Sequence, residues 1–211
     1  VQLCEALKHL AGRARSKVWP EYAELQCEAC HHSLTKAEQS WRQERGYPKR
    51  RPGDPPWNAS RYVVFRELVR QADPETAQQL EARLSELAEL MGQLDSNRDA
   101  VASSAAAAAE LAGRLVRRMA TLPYEQALTL RLLRAISSDA DYISGQGERA
   151  AEQATMALDS LFIAYSRNVK LGNESEVRAT IQALLQQLQN PSDYNAFLFA
   201  RQMRKVQTLL H

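Results

Sequence analysis

Two cysteines separated by two residues and followed at once by a histidine form the run Cys27-Glu28-Ala29-Cys30-His31. Thiols at this spacing can reach the two vinyl-derived carbons of one porphyrin as thioethers, and the next residue then presents an imidazole to the iron. The spacing therefore implies one covalently attached haem c, with Cys27 and Cys30 as anchors and His31 as the proximal iron ligand. The same donor types also suit zinc. A zinc site on Cys27, Cys30 and His31 or His32 needs a remote fourth ligand such as Cys4 or His9, because no second paired motif supplies one. A thioredoxin-like redox pair is disfavoured, since no strand–helix–strand pattern surrounds the motif.

For the sixth iron position the chain offers His9, His32, His211 and the methionines Met91, Met119, Met156 and Met203. His32 is a poor choice, because adjacent side chains on a helix point about 100° apart and His31 already holds one face of the porphyrin. His9 is the candidate distal ligand, on a helix that could fold back after Trp19-Pro20; the alternative is a surface histidine. The methionines occupy apolar helical positions and are expected in the core. A vacant or externally supplied sixth position is the other option, and it would suit a haem-based redox enzyme.

Close after the motif, residues 40–60 hold four of the eight prolines, two glycines and two of the three tryptophans. The prolines and glycines exclude a regular helix or central strand. Trp41, Tyr47 and Trp57 are costly to leave in water, so a structured loop packed on a flat apolar group is expected, with Trp41 and Trp57 sheltering the haem. Arg42 and Arg45, with Lys49, Arg50 and Arg51, could pair with haem propionates, whose carboxylates match the guanidinium fork. A solvated basic loop is the alternative for each of these cations.

The rest of the composition is that of an ordinary globular chain: 211 residues, 45% hydrophobic, 25% charged, formal net charge +2. Lys and Arg are spread along the chain, so nucleic-acid binding is not expected. No apolar run approaches the roughly 20 residues of a membrane-spanning helix. Cys4 is left over from the haem pair and lies in a helical apolar pattern with Leu3, Leu7 and Leu10, where a small buried hydrophobe is expected. The chain starts at Val1 with neither an initiator Met nor a basic-then-apolar leader, and is expected to be a mature or truncated part of a longer polypeptide. No catalytic triad, phosphate-binding loop or metalloprotease motif is present.

Positioning falls to helices throughout, because no segment sustains a period of two. The pattern predicts a helix over 2–17, a second from Pro20 toward Ser33, and a third over 62–71. Asp73-Pro74-Glu75 predicts a capped start for a helix to about Leu94, and Ser96 or Asn97 restarts the chain into an alanine-rich helix ending near Met119. Further helices are expected from Pro123, over 148–169, over 174–189, and over 192–210 with Ser192 as cap. The expected class is all-α: a small haem-bearing region of helix and loop over 1–60, then an antiparallel helical bundle over 61–211.

The stretch Trp19-Pro20-Glu21-Tyr22-Ala23-Glu24-Leu25-Gln26-Cys27-Glu28-Ala29-Cys30-His31-His32-Ser33-Leu34, with Ser40-Trp41-Arg42-Gln43-Glu44-Arg45-Gly46-Tyr47 and Arg51-Pro52-Gly53-Asp54-Pro55-Pro56-Trp57, resembles the multihaem cytochrome c family proteins of planctomycete-type bacteria. These are related to the tetrahaem cytochromes of ammonia oxidisers. The resemblance implies a C-terminal part that keeps one haem site, further haem domains upstream or separate redox proteins as partners, and a periplasmic or otherwise extracytoplasmic location. The single motif and missing upstream haems depart from that pattern, and leave the distal ligand and the electron path open. The expected role is one-electron transfer, a carrier in which no bond-making chemistry is required. A zinc-stabilised helical interaction domain is the reading from another class.

Overall fold

The computed structural model describes residues 1–26, 56–93 and 95–211. Among them the fold is all-α, with no β-strand and a single isolated antiparallel bridge between Leu25 and Trp57. The described residues divide into two compact units, one of residues 1–26 with 56–122 and one of residues 123–211.

The first unit holds α1 (Gln2–Ala14), a 3-10 turn at Tyr22–Glu24, α2 (Val63–Ala72), α3 (Pro74–Met91) and α4 (Arg98–Met119). Leu3, Leu7, Leu10 and Ala14 make the buried stripe of α1, as their spacing predicts, and this stripe packs mainly on α4. The alanines of α4 permit that approach: Ala102, Ala105, Ala108, Ala109 and Ala112 are all buried. Cys4 is buried as expected, its Sγ donating to the Ala109 carbonyl at 3.4 Å. At the other end of α1, Arg98 donates from Nε to the Ala14 carbonyl at 2.9 Å and from Nη2 to the Ser16 carbonyl. These are terminal carbonyls that no intrahelical donor satisfies.

Asp73 starts α3 as its sequence predicts, with Oδ1 accepting the Thr76 N–H at 3.1 Å and Pro74 in the first turn. Between α2 and α3 lies a charge network. The buried Arg66 guanidinium donates to Glu81 at 2.9 and 3.0 Å and to Glu67 at 3.1 Å, and Arg70 donates to the same two carboxylates. Asn97 caps α4, its Oδ1 accepting from the N–H groups of Asp99 and Ala100.

The second unit holds α5 (Gln126–Ser138), α6 (Ala140–Gly145), α7 (Glu148–Ser166), α8 (Glu174–Gln187), a 3-10 turn at Pro191–Asp193 and α9 (Ala196–Leu209). α9 packs on α5, α6 and α8, while α7 packs on α5, α6 and α8. Leu133, Ile136, Leu158, Phe162, Ile181 and Phe199 form its centre. Polar ties join the elements: Tyr194 Oη donates to the Ser144 carbonyl at 2.8 Å, and Arg134 donates to the Leu210 carbonyl at 2.7 and 2.9 Å.

Several predicted boundaries are corrected. Of the helix expected from Pro20 toward Ser33, the described residues 20–26 hold only a three-residue 3-10 turn, because Leu25 is extended (ψ 163°) and pairs with Trp57, and the remainder lies outside the described residues. The helix expected from Pro123 begins at Gln126, after an extended Glu125. The final helix is capped by Asn195, whose Oδ1 accepts the Leu198 N–H at 2.9 Å, with Ser192 inside the preceding 3-10 turn.

Candidate functional site

Cys27, Cys30, His31, Trp41, Arg42 and Arg45 lie outside the described residues, so their expected roles rest on sequence alone. The structure defines the two chain segments that flank them. Gln26, the residue before Cys27, donates its backbone N–H to the Pro56 carbonyl at 3.0 Å, and Asn58 donates to the Glu24 carbonyl at 2.9 Å. The Gln26 side-chain amide adds a bond to the Trp57 carbonyl at 3.4 Å. These bonds surround the Leu25–Trp57 bridge, whose two residues are 32 positions apart in sequence, so the intervening segment starts and ends at one place in the first unit. Trp57 is buried there, as its apolar area requires.

A second tie runs from this place to α1. Arg13, in the last turn of α1, pairs with Glu24 and, at 3.4 Å, with Glu21. Burial pushes the Glu24 carboxyl above the usual carboxylate range, against the opposing pull of the Arg13 guanidinium. His9 lies one turn before Arg13 on the same face of α1 and is solvent-exposed. Of the expected site residues, the structure thus brings His9 and Trp57 to the elements that adjoin Cys27 in the chain. Cys4 is held elsewhere, its thiol against Ala109 and its surroundings completed by Gly113.

Arg13, Glu24 and the Leu25–Trp57 bridge are absent from the sequence-based reading of the site. Arg13 there serves only as a cation near a helix C-terminus. Its true partners lie eight and eleven residues on, across a turn, where no periodicity points to them. Among the described residues no group of three or more His, Cys, Asp or Glu side chains converges as a metal site. In comparison with known proteins, the chain matches no family model, no curated protein and no solved structure.

Proposed function

We propose that the chain is an electron-transfer module of c-type cytochrome kind, carrying one haem c on Cys27 and Cys30 with His31 as its proximal ligand. The observation that carries this reading is the C-x-x-C-H spacing, whose donor set of two thiols and an adjacent imidazole fits that group. When bound, haem supplies one-electron exchange between ferric and ferrous iron, tuned by its axial ligands and its burial. The chain's own residues hold and shelter it. Gln26 and Pro56 fix the two ends of the segment that bears the motif, and the buried Trp57 supplies apolar surface at that base. His9 is the proposed distal ligand, supported by its position on the face of α1 that Arg13 ties to Glu24.

Trp41, Arg42 and Arg45 complete the proposed shelter, the two arginines pairing with propionates. The proposed setting is extracytoplasmic, with redox proteins or upstream haem domains as electron partners. No helix among the described residues is long and apolar enough to cross a membrane. The burial of Cys4 against Ala109 speaks against its use as a fourth zinc ligand.

The test is production of the full chain with a haem-attachment system, followed by spectra of the dithionite-reduced protein and of its pyridine-denatured form. A covalent c-type haem band that disappears in the Cys27→Ala/Cys30→Ala variant is expected. Absence of that band, with about one zinc per chain by metal analysis, overturns the electron-transfer reading in favour of a zinc site. His9→Ala is expected to retain the covalent band and to gain ready carbon monoxide binding. Ready binding by the unsubstituted protein would instead indicate an open sixth position and a catalytic haem.

A further inference from the structure

An open groove of about 550 Å³ runs between α1 and α4 on the first unit. Its floor is made of small side chains, Cys4, Ala11, Ala109 and Gly113, with the exposed Gly12 and Ala106 at its edges. A Cβ added at Gly12 would meet nothing within 4 Å, so the surface is unobstructed there. The walls are basic. Lys8 stands on α1 and Arg15 directly after its end, Arg117 on α4, and Glu110 is the one acid in the lining.

The two acids nearby are already engaged: Glu110 by Arg114 at 3.1 Å and Glu5 by Lys8 at 2.8 Å. Arg15 and Arg117 have no carboxylate partner among the described residues. Because the N-terminal end of α1 lies beside Ala109 and Gly113 and its C-terminal end beside Arg98, Arg15 and Arg117 stand toward opposite ends of the groove. From Ala106 to Arg117 the α4 wall is about 16 Å long, roughly three helical turns.

We propose that this groove docks an acidic helical segment of a partner protein. A floor of Ala, Gly and Cys allows a third helix to seat close to both walls, in the way that ridges of one helix enter the groove between others. The cations toward both ends of the groove give that helix its charge requirement, acids along one face spread over its length. This surface is independent of the proposed haem site, since none of its lining residues takes part in that site.

The experiment is a titration of the isotope-labelled full chain, followed by amide resonances. The probe is an alanine-based helix of about 15 residues with Glu repeated at heptad spacing; its Lys counterpart, a single-stranded oligothymidylate of similar length and anionic phosphatidylglycerol vesicles are the comparisons. Shifts confined to the amides around Gly12, Ala106 and Gly113, saturating with the Glu helix alone, are expected. Arg15→Glu/Arg117→Glu should weaken binding about tenfold or more. Ala106→Leu, at an exposed helical position that tolerates leucine, should block the groove without altering charge. No shift, equal binding of the Lys helix, tighter binding of oligothymidylate or vesicles at the same residues, or binding insensitive to both variants overturns the proposal.

Discussion

Gly147 has φ 90° and ψ 177°, a conformation in which any Cβ is strained, and it stands directly before α7. Its N–H and carbonyl are both engaged, the carbonyl accepting from Ala150 and Ala151 at 3.1 Å. Gly147→Ala is therefore expected to destabilise the second unit by about 1–3 kcal/mol, read as a lower denaturation midpoint at unchanged helix content. The Ser144-Gly145-Gln146-Gly147 run marks this break in the sequence, but only the backbone shows which glycine is indispensable. Asp73 is the opposite case, a cap legible from the residue type and the proline beside it. The site has both kinds of residue. The proposed chemistry of Cys27, Cys30 and His31 rests on spacing alone, whereas Arg13 and Glu24 have meaning only once their chain segments meet.

At the scale of elements, α2 and α3 are joined by charges as well as by packing. Burial pushes the Glu81 carboxyl up, but the bonds and charges of Arg66 and Arg70 outweigh this and hold it below the usual carboxylate range. A carboxyl lowered in the folded state contributes stability that is present above its ordinary pKa and is lost as pH falls through the lowered value. Glu81→Gln is expected to cost about 2 kcal/mol at neutral pH, because Arg66 stays buried while losing a charged carboxylate partner. Thermal midpoints measured from neutral to acidic pH should fall less steeply in Glu81→Gln than in the unsubstituted protein. Apolar periodicity locates all these helices, yet their ends depend on local competitors. Leu25 leaves the helical pattern to pair with Trp57, and Asn195 takes the cap expected of Ser192.

At the scale of the whole molecule, the described residues form two cores. Leu7, between α1 and α4, belongs to one; Phe162, beneath the Arg178 guanidinium at 5.6 Å from its ring centroid, belongs to the other. Leu7→Ala is expected to cost about 2–5 kcal/mol and Phe162→Ala about 3–5 kcal/mol. Amide exchange should quicken first in the unit that carries each substitution, and equal acceleration in both units would contradict a two-core organisation. Composition and period alone were enough for the all-α class and for most helix positions among the described residues, since these depend on residue types a few positions apart. They could not reveal that α1 packs on the alanine face of α4, that Gln26 pairs with Pro56, or that Arg13 reaches Glu24. Those pairings join distant positions through burial and complementary charge, and no local period encodes which distant partner a residue meets. The groove beside α1 exists for the same reason: small residues on two separate helices become one surface only when the helices are packed together.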